Sequence, residues 1–273
     1  MPSASTTVPW IRYPTPELVP LVCALPSPLV IYEVVDDHER SPGMSDRLRS
    51  VFRAAEDRLL ERAGLVFAWS EPIAERLRAR HANVVLAPAA ADIDAFARAR
   101  VSVRSADRTV TYAGSLDFRF DARLVAETAR VLPDWRFRLA GPADPESRSA
   151  LAVMPNVELL GRLAPEAVPA FLATGAACLM PYRQNAFNDN LFPIKLIESL
   201  ASGRPIVSTD IRGVRAFSDV VAVAGDASGI ARALRDSADE PPDAAARRIA
   251  RAVPYGWKRR IDEMQAALEA ALP

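Results

Sequence analysis

The sequence predicts an α/β protein, most of it a doubly wound sheet of parallel strands. Short β-branched runs alternate with helical patterns almost throughout the 273 residues, at the spacing of right-handed βαβ units. The strand runs are apolar on both faces, as required in a sheet that helices cover on both sides. A content of 50% hydrophobic and 25% charged residues is typical of a globular protein with one large domain or two small ones.

The predicted strands share a short apolar run that ends in turn residues. They are Leu29–Val35, Leu65–Trp69, Val84–Ala87, Thr109–Ala113, Arg136–Ala140, Val157–Leu160, Ala177–Met180, Pro205–Ser208 and Val220–Val223. The predicted helices share apolar residues at a period of about 3.6. They are Asp46–Ala63, Glu71–Arg80, Ala122–Leu132, Ala167–Ala173, Pro193–Ser202, Gly229–Asp236, Asp243–Val253 and Trp257–Leu272. Ser45 and Ser70 stand where N-caps are expected, and Gly64 and Gly203 stand where helices should end.

A domain boundary is predicted near residue 100, because the segment Phe96–Asp107 is polar and rich in arginine and a new strand follows it. We therefore predict a partial α/β domain over residues 1–100, a complete doubly wound domain over 101–256 and a C-terminal helix over 257–273. The apolar stretch Leu18–Ile31 is predicted to belong to the core, since a membrane span takes about 20 apolar residues and prolines interrupt this one.

Charge and cysteine usage exclude some partners and compartments. The 34 basic residues balance 34 acidic ones, whereas a dedicated nucleic-acid binder should carry a strongly basic face, so we expect no nucleic-acid partner. Cys23 and Cys178 are far apart and follow no metal or redox spacing, which favours a reducing compartment and a cytoplasmic protein. Only two of the basic residues are lysines, Lys195 and Lys258, so the position of each is informative.

The octet Tyr112–Arg119 is the first candidate site, because a predicted strand ends there in a small-residue turn. Ligands of open parallel sheets bind outside the carboxyl ends of the strands. The backbone N–H groups of Gly114 and Ser115 could bind an anion there, helped by Arg119. The alternative is a tight strand–helix turn with an exposed arginine, since one glycine is not a phosphate-binding fingerprint.

The second candidate site is the helix that begins near Pro193. Lys195 lies close to its N-terminus, where a cation is unfavourable unless an anion binds there too. Glu198 is three residues further on and therefore shares a face with Lys195. A cation beside a diphosphate and a carboxylate beside ribose hydroxyls would bind a nucleotide. The alternative is a surface ion pair worth about 0.3–0.5 kcal/mol.

These residues belong to an ordered series of landmarks that resembles a known family. Residues 108–273 resemble the donor-binding domain of GT-B glycosyltransferases, especially the bacterial group 1, family 4 type. The landmarks are Tyr112–Leu116 with Arg119, Trp135–Pro142, Pro155–Val157, Leu160–Arg162, Pro181–Tyr182, Pro193–Pro205 and Trp257–Arg260. Upstream, the segments Tyr32–His38, Ala63–Ser70 and Pro88–Phe96 and the residue Glu56 resemble the second half of the acceptor domain.

The resemblance implies a GT-B-like fold, with a C-terminal Rossmann-like domain and a partial N-terminal one. It implies a nucleotide-diphospho-sugar as donor substrate, bound mostly by the C-terminal domain, with neither a cofactor nor a metal. Gly114 and Ser115 would contact the diphosphate, Arg119 and Lys195 would neutralise it, and Glu198 would hold the ribose hydroxyls. The residues that would flank the base are Leu160, Gly161 and Arg162.

The sequence departs from the family pattern at one motif position. The first glutamate of the family's Glu-x7-Glu motif falls at Asn190, whose amide can bond sugar hydroxyls but cannot take a proton. Asp36 or His38, after the strand Leu29–Val35, could contact the transferred sugar or its acceptor. The Asp92–Asp94 segment formally matches an Asp-x-Asp metal motif, but three residues are a weak match, and we expect no metal there.

We therefore expect a glycosyltransferase that moves a sugar, without a metal ion, from a nucleotide-diphospho-sugar to a surface-polysaccharide or glycolipid acceptor. A non-catalytic nucleotide-sugar-binding module and a sugar-nucleotide 2-epimerase are the alternatives. Transfer requires an acceptor, epimerisation does not, and a binding module does neither. The family's opening βαβα unit does not precede Trp10, so the sheet edge beside Leu29–Val35 is expected to invite self-association. Peripheral contact with the inner face of the membrane is a further expectation.

Overall fold

A computed structural model describes residues 7–102 and 107–272. The chain folds into two units. The first comprises residues 7–89 together with two later segments, 190–192 and 258–272; the second comprises residues 90–189 and 193–257.

Ten strands and thirteen α-helices are found in the described residues. The strands are β1 Trp10–Ile11, β2 Ile31–Val34, β3 Leu65–Ala68, β4 Val84–Leu86, β5 Thr109–Ala113, β6 Arg136–Ala140, β7 Val157–Gly161, β8 Ala177–Met180, β9 Ile206–Ser208 and β10 Ala222–Val223. The helices are α1 Leu18–Ala24, α2 Asp46–Arg62, α3 Glu71–Arg78, α4 Ile93–Ser102, α5 Ala122–Val131, α6 Pro145–Ala152, α7 Val168–Ala173, α8 Ala186–Asn190, α9 Ile194–Ala201, α10 Arg212–Arg215, α11 Ala227–Asp236, α12 Ala244–Ala252 and α13 Trp257–Ala271.

The first unit is built on a four-stranded parallel sheet in the order β1-β2-β3-β4. One face of the sheet, which includes Val30 and Val66, packs against α1, α2 and α3. Ile31 and Phe67 lie on the other face, against apolar side chains of α13 that recur at helical spacing. The closing helix therefore completes the core of the N-terminal unit rather than extending the second one.

A buried carboxylate ties α2 and α3 to this sheet. Glu56 accepts hydrogen bonds from the hydroxyl of Tyr32 over 3.0 Å and from the guanidinium groups of Arg76 and Arg80, each over 2.7 Å. Burial acts to raise the pKa of Glu56, but the two arginines outweigh it and hold the pKa below its ordinary value. The group is therefore ionised at neutral pH and paired with two cations.

The second unit is a six-stranded parallel sheet in the order β10-β9-β8-β5-β6-β7. The chain builds it outward from β5 to β7, returns to the other side of β5 with β8, and continues outward to β10. The strand order thus reverses at β5, and ligands of such sheets bind at the carboxyl ends of the strands around this reversal.

Most predicted elements match the structure, and β5, β6 and β8 have the predicted bounds. The segment Phe96–Asp107, near which a domain boundary is predicted, begins inside α4, which extends to Ser102 and buries Phe96 and Ala99. Residues 103–106 lie outside the described part of the chain. The stretch Leu18–Ile31 was predicted to be core, but only part of it is: Val19, Val22 and residues 29–31 are buried, whereas Leu18, Leu21 and Leu25 are exposed. It contains α1, since Pro20 falls in the first turn, where the missing N–H is tolerated. Across the residues that the structure describes, no helix is both long enough and apolar enough to span a bilayer.

Candidate functional site

The turn after β5 brings a glycine and a lysine together. Gly114 has a φ of +155°, and its N–H donates to the carbonyl oxygen of Ala140 over 2.8 Å. A Cβ atom at position 114 would lie 1.8 Å from Cε of Lys195. Glycine is therefore required for the lysine side chain to lie against this turn. The N–H of Ser115 donates to no described backbone group, so it is the donor that the turn can offer to an anion.

Three glycine turns pack on one another at the carboxyl ends of β5, β6 and β7. Gly141, after β6, has a φ of +146°, and a Cβ atom there would lie 1.9 Å from the carbonyl oxygen of Gly114. Its N–H donates to the carbonyl oxygen of Gly161 over 2.7 Å, and Gly161 itself has a φ of +70°. Gly141 is not among the predicted site residues. The available signal was an Ala-Gly-Pro turn directly after a predicted strand.

A cavity of about 420 Å³ opens beside these turns, within the range of small-ligand sites. Five of the predicted site residues line it, namely Gly114, Ser115, Arg162, Lys195 and Glu198. The remaining lining residues are Ala113, Ala140, Gly141, Pro142, Leu163, Pro165, Val168 and Ile194. The cavity thus combines an apolar lining with two cations, one carboxylate and a backbone donor.

A larger cavity, of about 630 Å³, lies at the opposite edge of the same sheet. Its lining residues Arg108, Trp135 and Ala176 precede β5, β6 and β8, and none of the predicted site residues lines it. Ligands of open parallel sheets bind at the carboxyl ends of the strands, so we assign the candidate site to the smaller cavity.

Helix α9 carries the two charged residues that face each other across one turn. Pro193 precedes the helix, and Lys195 lies in its first turn. The Glu198 carboxylate is largely covered, and within the described chain no side chain donates a hydrogen bond to it. Burial raises the pKa of Glu198 to about 7, although the positive charge of Lys195 acts in the opposite direction. A ligand whose hydroxyl groups donate to Glu198 would supply the missing hydrogen bonds and favour the ionised form.

Arg119 lies in the loop after β5 and is bound by the carboxylate of Asp117, which is not among the predicted site residues. Asp117 accepts from its Nε over 3.0 Å and from its Nη2 over 2.6 Å. The carbonyl oxygen of Arg119 accepts from Nδ2 of Asn188 over 3.0 Å and from the N–H of Arg183 over 2.9 Å, so the backbone of the loop is anchored. Burial acts to raise the pKa of Asp117, but its hydrogen bonds to Arg119 outweigh this and lower it. Arg119 is not among the residues that line the cavity.

Buried Tyr112 stabilises the turn after β5 that contains Ser115. Its hydroxyl donates to the carbonyl oxygen of Ser115 over 3.0 Å, and its ring packs against Phe120 with the centroids 4.8 Å apart. Burial raises the pKa of Tyr112 well above its ordinary value, so the hydroxyl stays neutral and donates.

Of the residues predicted to flank the base, Arg162 lines the cavity, whereas Leu160 and Gly161 belong to β7 and do not.

The remaining predicted site residues, Asp36, His38 and Asn190, belong to the first unit. Nδ2 of Asn190 donates to Oδ2 of buried Asp37 over 2.7 Å. Asp37 lies between the predicted residues Asp36 and His38 and was not itself predicted. The His38 ring packs against Tyr13, with the ring centroids 4.7 Å apart. Burial lowers the pKa of His38, which favours the neutral imidazole.

The Asp92–Asp94 segment begins a helix. Oδ1 of Asp92 accepts from the N–H of Ala95 over 3.0 Å in the first turn of α4. In the part of the chain that the structure covers, no three His, Cys, Asp or Glu side chains are grouped so as to hold a metal ion.

The class of fold that these two parallel sheets define is established by solved structures. Sucrose-phosphate synthase from Thermosynechococcus elongatus is 17% identical with a TM-score of 0.72, over 92% of this chain and 69% of that one. Anabaena HepE, solved with UDP and glucose, is 16% identical with a TM-score of 0.67, over 89% and 72%. A UDP-forming trehalose-phosphate synthase from Burkholderia xenovorans is 13% identical with a TM-score of 0.69, over 97% and 74%. The predicted GT-B-like fold is thereby confirmed.

Sequence comparison finds similarity to one family and to one curated protein. Residues 107–240 match the model of the family described as group 1 glycosyl transferases. A Bacillus subtilis protein, provisionally named as a teichuronic acid biosynthesis glycosyltransferase, is 28% identical over 188 residues, which are 63% of this chain and 47% of that protein. The chain thus spans about half the length of this relative. The resemblance to group 1 glycosyltransferases that the motifs predict is confirmed.

Proposed function

We propose that this chain is a group 1 glycosyltransferase that moves a sugar from a nucleotide-diphospho-sugar to a glycan or lipid-linked acceptor. The observation that carries the proposal is the cavity at the carboxyl ends of β5 to β7, where the backbone turn at Ser115, Lys195 and Glu198 come together. A cation and a backbone donor suit a diphosphate. A carboxylate that receives no side-chain hydrogen bond from the described residues suits a pair of ribose hydroxyls. The UDP and glucose bound in HepE support the donor class.

In the proposed reaction, the bond between the anomeric carbon of the sugar and the diphosphate oxygen breaks. The acceptor hydroxyl forms the new bond to that carbon and gives up its proton, which the departing diphosphate can take. Negative charge grows on the diphosphate as the bond breaks. Lys195, Arg162 and the N–H of Ser115 would stabilise this charge, with Arg119 contributing from the neighbouring loop. Because these groups already supply positive charge, we propose that transfer needs no metal ion.

The acceptor is proposed from the relative alone. The Bacillus subtilis protein is named for teichuronic acid biosynthesis, which supports a cell-surface polysaccharide or its lipid-linked precursor as acceptor. Peripheral contact with the membrane that holds such a precursor is part of the same proposal. The sheet edge beside Leu29–Val35, expected to be open and to invite self-association, is instead paired with β1 through Trp10 and Ile11.

A specific observation favours a second candidate, a nucleotide-sugar-binding module without transfer activity. The motif position that is a glutamate in the family is Asn190 here, and its amide is bonded to buried Asp37. A neutral side chain in this bond supplies no negative charge for a developing positive charge on the sugar.

Calorimetry tests the donor site, with UDP, GDP, ADP and their glucose esters as probes. Lys195→Ala should weaken binding of the tightest diphosphate, whereas Lys258→Ala should not. Lys258 is the matched control, because it is exposed and pairs with Asp262 one turn away. A wild-type chain that binds none of the probes would refute the proposal.

An activity assay separates the two candidates. The tightest-bound nucleotide sugar is incubated with soluble and lipid-linked glycans, and release of the nucleoside diphosphate is followed with and without EDTA. Release that depends on an acceptor supports transfer, whereas binding without release with any acceptor supports the second candidate. Activity that EDTA abolishes and Mn²⁺ restores would contradict metal independence.

A further inference from the structure

Asp117 is a negative charge placed beside two cations that the proposed function assigns to a diphosphate. It holds Arg119 through two parallel hydrogen bonds, of 3.0 Å to Nε and 2.6 Å to Nη2. This is the fork geometry with which a guanidinium binds a carboxylate or a phosphate. Lys195 also acts on Asp117 electrostatically and favours its ionised form. The carboxylate thus holds Arg119 in the way that a phosphate group could hold it. Arg119 does not line the cavity, so binding a phosphate there requires its guanidinium to leave Asp117.

The same residue makes a local turn that can be separated from its charge. Oδ1 of Asp117 accepts from the backbone N–H of Arg119 over 3.0 Å, and its carbonyl oxygen accepts from the N–H of Phe120 over 2.8 Å. An asparagine side chain makes the same turn, because its carbonyl oxygen can accept from the N–H two residues on. The turn explains why a short polar residue stands at position 117, but it does not require a negative charge.

An alternative role for Asp117 is only to orient Arg119. The loop, however, is anchored independently of Asp117. Asn188 and Arg183 both donate to the carbonyl oxygen of Arg119, and Nε of Arg183 donates to the carbonyl oxygen of Phe120 over 3.1 Å. The ring of Phe118 lies 5.1 Å from that of Phe187 and 5.6 Å from the Arg119 guanidinium carbon. The backbone and the aromatic side of the loop are thus positioned without the carboxylate.

We propose that Asp117 is an internal counter-ion of Arg119, which exchanges this carboxylate for a phosphate when the diphosphate binds. The proposal rests on the proposed function and adds a residue that sets how tightly the diphosphate is held. A nucleoside diphosphate product carries one more negative charge than the same diphosphate within a nucleotide sugar. The competing carboxylate therefore opposes retention of the product more strongly than binding of the donor.

The test is calorimetric titration of the full chain with UDP and UDP-glucose, or with the GDP or ADP pair if the wild type binds that pair more tightly. Asp117→Asn keeps the turn and removes the charge, and it should tighten binding of the nucleoside diphosphate by about fivefold. The gain should be smaller for the nucleotide sugar. If Asp117 only positioned Arg119, removing its charge would not tighten diphosphate binding. Weaker or unchanged diphosphate binding in Asp117→Asn would therefore overturn the proposal.

Asp121→Asn is the matched control. It removes the same charge four residues further on, and asparagine still caps α5, where Oδ1 of Asp121 accepts from the N–H of Leu124 over 3.0 Å. Diphosphate binding in this variant should stay within about twofold of wild type. A gain equal to that of Asp117→Asn would show a general charge effect and would also overturn the proposal.

A double-mutant cycle shows whether Arg119 carries the effect. In an Arg119→Ala background, Asp117→Asn should change diphosphate binding by less than about twofold, because no guanidinium remains to be released. An undiminished fivefold gain in that background would mean that Asp117 merely repels the ligand, and the exchange would be refuted. Failure here is distinct from failure of the proposed function, since the latter requires that the wild type bind no probe or that Lys195→Ala leave binding unchanged.

Discussion

Replacing Glu198 by glutamine should stabilise the protein at alkaline pH while weakening nucleotide binding. Burial raises the pKa of Glu198 from its ordinary value of 4.5 to about 7. A carboxyl whose pKa is raised on folding binds its proton more tightly in the folded state than in the unfolded one. Its contribution to stability is therefore full below the unfolded pKa and is lost as the pH rises through the folded one.

The size of the loss follows from the displacement of the pKa. At 1.36 kcal/mol per pH unit, ionising this group in the folded protein costs at most about 3 kcal/mol. Residual solvent access to the carboxylate makes about 1–3 kcal/mol the expected range at about pH 8. Glutamine has nearly the same shape and no charge, so Glu198→Gln removes the cost.

Urea denaturation at about pH 5 and about pH 8 measures the effect. The free energy of unfolding of Glu198→Gln should match wild type at the lower pH and exceed it at the higher pH. Glu127→Gln, an exposed glutamate of α5, is the control and should show no such difference. A Glu198→Gln variant that is destabilised at about pH 8, or whose difference from wild type is the same at both pH values, would refute the reasoning. Binding of the nucleotide sugar should weaken, while inorganic diphosphate should bind nearly as before.

Three other perturbations test the site and the first unit. Gly114→Ala places a Cβ atom 1.8 Å from Cε of Lys195 and should weaken nucleoside-diphosphate binding in calorimetry. Gly225→Ala, which has open space at its Cβ atom, is the control and should not weaken it; equal affinities of the two variants would contradict the geometry. Lys195→Ala should weaken the same binding by about 1.5–3 kcal/mol, the range for hydrogen bonds to charged groups, and wild-type affinity would argue against the site. Glu56→Ala should lower the free energy of unfolding by about 3–5 kcal/mol because Arg76 loses its buried partner, and a loss below about 1 kcal/mol in urea denaturation would show that the network is not stabilising.

Local sequence patterns were sufficient for the elements that depend on short-range physics. The five residues of β5 form an unbroken apolar and β-branched run before a glycine, and the strand has the predicted bounds. The i and i+3 spacing of Lys195 and Glu198 predicted a shared helix face, and both residues line one cavity. β1 was not predicted, because two residues are too few to show any periodicity.

Contacts between distant parts of the chain could not be read in this way. Gly141 lies against Gly114 only because β5 and β6 pair in register with α5 between them in sequence. Asn190 was assigned from its motif position, yet its partner Asp37 lies 153 residues away. The grouping of α13 with the first sheet likewise depends on apolar residues at the far end of the chain.

The sequence by itself determined the α/β class and the order of most strands and helices, because both depend on local periodicity. It also determined the resemblance to group 1 glycosyltransferases and the residue types available for a diphosphate, because both depend on ordered motifs. The tertiary structure alone decided the charge states of the buried side chains and the partners in their ion pairs. Burial raises the pKa of Glu198, Asp117 accepts two hydrogen bonds from the Arg119 guanidinium, and two arginines keep Glu56 ionised. Desolvation and ion pairing depend on which groups are packed around a side chain, and one-dimensional spacing does not contain that information.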